Sequence, residues 1–226
     1  MNKPVCVVCG IGPKNGAAFA RKFSAEGYRV ALLSRKTDYS STLAEELGDA
    51  KAYACDVSDE AAVAAAFSAV RDDLGVPDVL VFNAGSGQWG NIEEISAADF
   101  ERGWRINALG AFLTAKQVIP GMVDKGAGSI IIVGATASLR GKPFTTGFAP
   151  AKAAQRSLAQ AMARHLGPKG VHVALLILDG VVGAPTGGEI KSLDPDDIAA
   201  TAHFLTTQNR SAWTFELDLR PHLENW

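Results

Sequence analysis

Seven short apolar runs constrain the fold of this 226-residue chain more than any other feature. They are apolar throughout and do not alternate with polar residues, so both faces of each predicted strand should be covered. Such strands are typical of a parallel sheet with helices on each side. The predicted strands are residues 4–9, 28–33, 51–54, 78–82, 129–133, 171–178 and 213–217.

Alanine-rich segments with the length and periodicity of helices separate these runs. Ser58 and Ser96 each precede one of them, at the position of an N-cap. No Pro/Gly/Ser-rich linker or internal repeat divides the chain. The sequence therefore predicts one α/β domain over residues 1–226, a doubly wound parallel seven-stranded sheet with helices on both faces. The predicted helices are 16–26, 40–47, 59–74, 97–124 and 147–166.

Composition and charge exclude several classes of partner. The formal net charge is −2 and no long basic run is present, which argues against nucleic-acid binding. The N-terminal apolar run is too short to span a membrane and lacks the layout of a signal peptide. We therefore expect a cytoplasmic protein that binds neither nucleic acid nor a membrane.

The three cysteines indicate neither a disulfide framework nor a metal site. Cys6 and Cys9 form a CxxC motif, and Cys55 stands alone. The motif lies within a predicted strand, where residues three apart point to opposite faces. An odd, low cysteine count also disfavours disulfides. No metal is expected.

A glycine-rich loop follows the first predicted strand. Gly10, Gly12 and Gly16 lie between that strand and a helix, inside a β-α-β unit. There, glycines let the backbone approach a pyrophosphate, and the helix N-terminus attracts its charge. The loop, with Lys14 and Asn15, is predicted to bind dinucleotide phosphates; an ordinary glycine-rich turn is the alternative.

The end of the second predicted strand bears on the choice between NAD and NADP. An acidic residue there would bind the 2′-hydroxyl of NAD. This chain has Ser34, Arg35 and Lys36. Arg35 can clamp a 2′-phosphate, with Lys14 assisting, so NADP is predicted over NAD. The alternative is that Arg35 and Lys36 are solvated surface charges.

Together these motifs resemble the short-chain dehydrogenase/reductase family over nearly the whole chain. CGIGPKNG is similar to the family's TGxxxGxG loop. Asp56 and Val57 resemble the pair that holds the adenine. Asn83, Ala84 and Gly85 match the family's NAG sequence. The resemblance implies a Rossmann fold and an oxidoreductase that uses NADP, or less readily NAD, on a small-molecule substrate that the sequence does not identify.

The same resemblance implies roles in the second half of the chain. Asn107 stands at the family's active-site asparagine, and Lys152 is similar to the lysine of its YxxxK motif. Asp179, Gly180 and Val182 follow the sixth strand and are expected on the cofactor. The long helices 97–124 and 147–166 resemble those through which the family pairs, which implies a homodimer or homotetramer.

Two catalytic positions depart from the family pattern. Phe148 stands four residues before Lys152, one helical turn away on the same face, where the family has its catalytic tyrosine. Ala135, thirteen residues before Phe148, stands where the family has its serine. A phenol beside an ammonium ion can exchange a proton with substrate, whereas phenylalanine has none to give.

Three interpretations remain open at this stage. The first is an oxidoreductase of altered mechanism, acting on an activated carbonyl, imine or quinone. The second is an NADP-binding protein without turnover, serving as a sensor, scaffold or partner subunit. The third is a remnant of the fold that binds no nucleotide. Trp89 follows the NAG strand and either lines the substrate side or simply packs there.

Overall fold

The computed structural model describes residues 3–183 and 192–224, and their fold is a parallel seven-stranded sheet. The strand order is β3-β2-β1-β4-β5-β6-β9, and every pairing in it is parallel. The strands are β1 Val5–Cys9, β2 Arg29–Ser34, β3 Ala50–Ala54, β4 Val79–Phe82, β5 Gly128–Ala135, β6 Val171–Leu178 and β9 Glu216–Leu219. A separate parallel pair is formed by β7 Val181–Val182 and β8 Ser192–Leu193.

Helices cover both faces of the sheet, as predicted. One buried cluster joins the sheet to α1, α2 and α7, and a second joins it to α3, α5 and α6. Cys6 belongs to the first cluster and Cys9 to the second, so the CxxC motif is split across the sheet. The helices are α1 Asn15–Ala25, α2 Asp38–Leu47, α3 Glu60–Asp73, α4 Ala97–Trp104, α5 Gly110–Lys125, α6 Ala149–Leu166 and α7 Pro195–Thr206.

The strand order reverses at β1, which pairs with β2 on one side and with β4 on the other. Chain segments leaving the carboxyl ends of these strands diverge, and a crevice opens between them. Ligands of doubly wound sheets bind at such a switch point. The glycine loop after β1 and the NAG segment after β4 both lie there.

The predicted long helix 97–124 is interrupted. A π-helical turn, Arg105–Leu109, separates α4 from α5, and the Gly110 N–H bonds the Arg105 carbonyl, five residues back. Such turns take up an extra residue inside an α-helix and often occur at functional sites. Apolar periodicity does not reveal them, so the sequence indicated one continuous helix.

Three further predictions were wrong in detail. The seventh strand was predicted at 213–217 but lies at Glu216–Leu219, because this edge strand alternates charged and apolar residues. The helix α7 was missed, although Asp194 caps its N-terminus and Pro195 begins it. Asp59, not Ser58, caps α3, while Ser96 does cap α4 by accepting from the Asp99 N–H.

Candidate active site

Close backbone packing fixes the glycine loop. Gly10 has a φ of +94°, and a Cβ there would stand 2.5 Å from the backbone nitrogen of Ala84. A Cβ at Gly16 would stand 2.5 Å from the Gly10 carbonyl oxygen. The Asn83 side chain donates to that same oxygen over 2.7 Å. The loop after β1 is therefore locked to the NAG segment after β4.

A cleft of about 350 Å³ opens beside this junction. It brings together nine of the residues predicted to bind cofactor. At Gly12, by contrast with Gly10 and Gly16, an added Cβ would meet no described atom within 4 Å. The open backbone there suits close approach of a phosphate group. The cleft residues are Gly10, Ile11, Gly12, Leu33, Ser34, Arg35, Cys55, Asp56, Val57, Asn83, Ala84, Gly85, Ser86 and Ile106.

Opposite charges line the cleft where β2 and β3 end. Asp56 Oδ1 accepts from the backbone N–H of Ser58 over 2.9 Å and from its hydroxyl over 2.7 Å. The Ser58 hydroxyl bond is the main reason that the pKa of Asp56 lies below its ordinary value. Arg35 is exposed at the same end, while the Ser34 hydroxyl donates to the Lys36 carbonyl over 2.8 Å. A fixed anion and an exposed cation there suit an adenine and a phosphate, respectively.

Three predicted cofactor residues lie beside the cleft. The Lys14 ammonium donates to the Val182 carbonyl over 2.8 Å, which ties the glycine loop to β7. Asn15 begins α1, and its buried Oδ1 accepts no hydrogen bond from the part of the chain that the structure describes. Gly16, the third glycine of the motif, supports the loop through its contact with Gly10.

Asn107 and Lys152 lie together next to the cleft. A Cβ at Gly85, which lines the cleft, would be 3.3 Å from Asn107 Oδ1 and 3.8 Å from Lys152 Nζ. The Asn107 amide nitrogen donates to the carbonyls of Ser86 and Gly103, over 2.9 and 2.8 Å. Its buried Oδ1 has no donor among residues 3–183 and 192–224. The π-helical turn thus presents a fixed, unused acceptor at the cleft.

Burial and two acceptors hold the Lys152 ammonium. It donates to the Val133 carbonyl over 3.0 Å and to Gln155 Oε1 over 3.1 Å. Gln155 in turn donates to the Asn107 carbonyl over 3.0 Å. Burial lowers the pKa of Lys152 to about 8. The sequence analysis missed Gln155, although its position three residues after Lys152 places it on the same helix face.

An aromatic hydrocarbon lies one helical turn before the lysine on this helix face. Phe148 directly precedes α6, and its ring centroid lies 5.8 Å from Lys152 Nζ. The Trp89 ring packs against it with centroids 4.9 Å apart. Ala135 ends β5 and lines the same space. Trp89 therefore lines this pocket in addition to packing.

This second pocket encloses about 240 Å³. Asp179 and Gly180, predicted on the cofactor, lie here. The Thr136 hydroxyl donates to Asp179 Oδ1 over 2.7 Å, and the Arg220 guanidinium lies 3.2 Å from Oδ2. The pocket residues are Trp89, Ala135, Thr136, Ala137, Arg140, Lys142, Phe144, Thr145, Phe148, Leu178, Asp179, Gly180 and Glu224.

Comparison with known proteins settles the family. The family model described as short chain dehydrogenase matches residues 4–192. The chain belongs to the short-chain dehydrogenase family. D-threitol dehydrogenase of Mycolicibacterium smegmatis is 29% identical over 222 residues, covering 90% of this chain and 85% of the relative.

Two solved structures of similar chains contain NADP or a derivative. An alcohol dehydrogenase from Thermococcus sibiricus, complexed with 5-hydroxy-NADP, superposes with a TM-score of 0.90 at 27% identity, covering 98% of each chain. A metagenomic short-chain oxidoreductase in complex with NADP gives 0.86 at 29% identity, covering 99% of each chain. These likenesses confirm the Rossmann-type fold. Among the described residues, no helix is both long and apolar enough to cross a membrane.

Proposed function

We propose that this short-chain dehydrogenase is an NADP(H)-dependent oxidoreductase that works without a tyrosine acid. The observation that carries the proposal is the pairing at the cleft: Lys152 and Asn107 both lie beside Gly85, but the ring facing the lysine is that of Phe148. The cofactor side of the site is retained. The proton donor that the family resemblance would place at position 148 is replaced by a hydrocarbon.

The residues of the first cleft fit the parts of NADP(H). The glycine loop would hold the pyrophosphate, Arg35 the 2′-phosphate and Asp56 the adenine, with Lys152 and Asn107 at the nicotinamide ribose. The preference for NADP over NAD is supported by Arg35 and by the NADP-bound relatives. When bound, the cofactor supplies or accepts a hydride. The further proposed contacts are Gly10, Gly12, Lys14, Asn15, Gly16, Ser34, Val57, Asn83, Ala84, Gly85, Asp179, Gly180 and Val182.

The missing acid restricts the class of substrate. General acid catalysis contributes on the order of 10²–10⁴ in rate, so an unactivated ketone would react slowly here. An activated carbonyl, imine or quinone accepts a hydride with less help, because the negative charge that forms is delocalised or neutralised within the substrate. The completing proton then comes from water. Thr136 offers no substitute, since its hydroxyl proton is engaged by Asp179.

The test compares the unmodified protein with Phe148→Tyr/Ala135→Ser. We expect NADPH oxidation by the unmodified protein with a quinone such as menadione, and little with a simple ketone such as cyclohexanone. The double variant should gain ketone reduction, since the phenol would stand beside Lys152. If the protein is folded and binds NADPH, but oxidises no NADPH when a quinone, an imine or an activated carbonyl is added, it is instead a non-catalytic sensor, scaffold or partner subunit.

We also propose assembly as a homodimer or homotetramer in the cytoplasm. The aromatic side chains of Phe100, Trp104 and Phe112, on α4 and α5, are each 42% exposed. Such a surface on helices through which the family pairs supports a second copy of the chain as its partner. All three cysteines are free and buried, which suits a reducing compartment.

A further inference from the structure

The second pocket combines an aromatic wall with two exposed cations. Trp89 and Phe144 are 60% and 53% exposed, and their ring centroids are 6.1 Å apart. With Phe148, they form what we call the aromatic wall. A contiguous exposed apolar patch can mark a ligand-binding site. Their arrangement offers apolar faces to a flat ligand.

Backbone hydrogen bonds hold this wall in place. The Gly90 N–H donates to the Phe144 carbonyl over 2.9 Å, and the Thr146 N–H donates to the Gly90 carbonyl over 3.3 Å. The Thr145 hydroxyl accepts from the Lys142 N–H over 2.8 Å and donates to the Lys142 carbonyl over 2.9 Å. The segments that carry the rings and Lys142 are therefore joined. The wall is preformed, which lowers the entropic cost of binding.

Two cations on the pocket rim have donors to spare. Arg140 and Lys142 are exposed, and neither side chain donates a hydrogen bond within the described part of the chain. The Arg140 guanidinium lies 3.6 Å from Asp179 Oδ1, beyond hydrogen-bond distance. Asp179 is also paired with Arg220, at 3.2 Å. The charge of Arg140 is thus only partly offset.

Two cations, Arg140 and Lys142, and two carboxylates, Asp179 and Glu224, line the pocket. Arg220, from outside the lining, pairs with Asp179 and with Asp218, so part of the Asp179 charge is already neutralised. A guanidinium with free donors binds carboxylates, sulfonates and phosphates through paired hydrogen bonds. At about 240 Å³ the pocket falls below the roughly 300–1,000 Å³ usual for drug-sized ligands, so it suits one or two fused rings.

We propose that Arg140 and Lys142 anchor an anionic group of a flat, conjugated substrate whose ring lies against the aromatic wall. This inference deepens the proposed function by naming the substrate class of the same site. A conjugated acceptor tolerates the absence of an acid, and its anionic substituent would accept hydrogen bonds from the two exposed cations.

A binding experiment tests the anchor without requiring turnover. The NADP⁺-loaded protein is titrated by calorimetry with 2-naphthoate and with 2-naphthamide, which has the same shape but no charge. We expect the carboxylate to bind at least about tenfold more tightly than the amide at low salt, and the difference to shrink as ionic strength rises. Equal affinities for the two ligands would overturn the proposal.

Charge-neutralising variants locate the anchor. Arg140→Gln and Lys142→Gln should each weaken 2-naphthoate binding several-fold and leave 2-naphthamide binding unchanged. Arg164→Gln, at an exposed position on α6 outside the pocket, also removes one positive charge and should change the affinity for neither ligand. If Arg140→Gln destabilises the fold because Asp179 loses an ion-pair partner, Lys142→Gln still tests the anchor. If both single variants, Lys142→Gln and Arg140→Gln, fold and still prefer 2-naphthoate to 2-naphthamide as strongly as the unmodified protein does, the assignment is refuted.

The two proposals can fail separately. Anion-selective binding together with no NADPH oxidation by any quinone, imine or activated carbonyl would refute the oxidoreductase proposal alone. Turnover of menadione with no preference for anionic ligands would refute the anchor alone.

Discussion

The ammonium of Lys152 lies 5.8 Å from the ring centroid of Phe148, one helical turn along the chain. At this distance the ring quadrupole attracts the cation, but no proton can pass between them. The ammonium instead bonds the Val133 carbonyl and the Gln155 side chain. The lysine is therefore held by the protein itself, without the phenol that the family resemblance would pair with it.

Lys152 should give the protein a specific pH dependence of stability. Its pKa falls from 10.5 to about 8 because the ammonium is buried. Below about pH 8 the folded chain carries a buried charge at a cost of about 3 kcal/mol, and the cost disappears as the pH rises towards 10.5. Between these values the unfolded chain binds more protons, so this contribution to stability rises with pH.

Urea unfolding of the unmodified protein and of Lys152→Met at pH 7 and pH 10 measures the effect. The unmodified protein should gain stability relative to the variant by roughly 2–3 kcal/mol between the two pH values. Other groups that titrate in this range are common to both proteins and cancel in the comparison. Parallel pH profiles would show that burial does not depress the pKa of Lys152.

Arg35 should control the preference for NADPH. Arg35→Gln removes the cation at the ribose end of the cleft, so the NADPH dissociation constant should rise about tenfold while that of NADH changes little. Titration followed by nicotinamide fluorescence gives both constants. Arg21→Gln is the matched control, because Arg21 pairs with Glu46 on the surface. A similar loss of affinity for NADPH and NADH in Arg35→Gln would contradict the proposal that Arg35 binds the 2′-phosphate.

Two glycines of the same loop should respond differently to alanine. Gly10→Ala places a Cβ 2.5 Å from the Ala84 backbone, at a residue whose φ is +94°. The substitution should lower the free energy of unfolding by about 1–3 kcal/mol or more. Gly12→Ala meets open space, so stability should hold within about 0.5 kcal/mol while NADPH affinity falls. Thermal unfolding and NADPH titration separate the two. Unaltered NADPH binding by Gly12→Ala would mean that no phosphate lies against Gly12.

The aromatic surface on α4 and α5 should hold the proposed oligomer together. Phe112→Asp places a charge in this surface and should shift the protein to monomers by sedimentation velocity. Phe112→Leu keeps the surface apolar and should preserve the assembly. A monomeric unmodified protein at micromolar concentration would overturn the proposal.

The sequence predicted the cofactor cleft better than it predicted the second pocket. Residues of the cleft belong to short motifs at strand ends, where chain order itself places them together: Gly10 after β1, Arg35 after β2, Asn83 after β4. Nine residues predicted to bind the cofactor line the cleft, as that rule implies. The rule does not distinguish a lysine that lies in the cleft from one that reaches β7, as Lys14 does.

The second pocket depends on side chains that come together only through tertiary packing. The sequence indicated no role for Arg140, Lys142 or Phe144. The segment 89–90 pairs with 144–146 through backbone hydrogen bonds, which carry no side-chain signature. Asp179 suggested a turn beside the cofactor, whereas its burial between Thr136 and Arg220 links three separate elements.

The π-helical turn at Arg105–Leu109 sets the rotation of everything that follows it on α5. At about 100° per residue, Phe112 in an uninterrupted helix would stand roughly 120° around the axis from Phe100; one absorbed residue reduces this to roughly 20°. Trp104 then falls in the same stripe. A single irregularity in the backbone therefore aims Asn107 at the cleft and aligns the outward aromatic surface. Deleting one residue from the turn would restore a regular helix with Phe112 still roughly 20° from Phe100, so the extra residue reshapes the backbone at the interior site while the exterior stripe keeps its register.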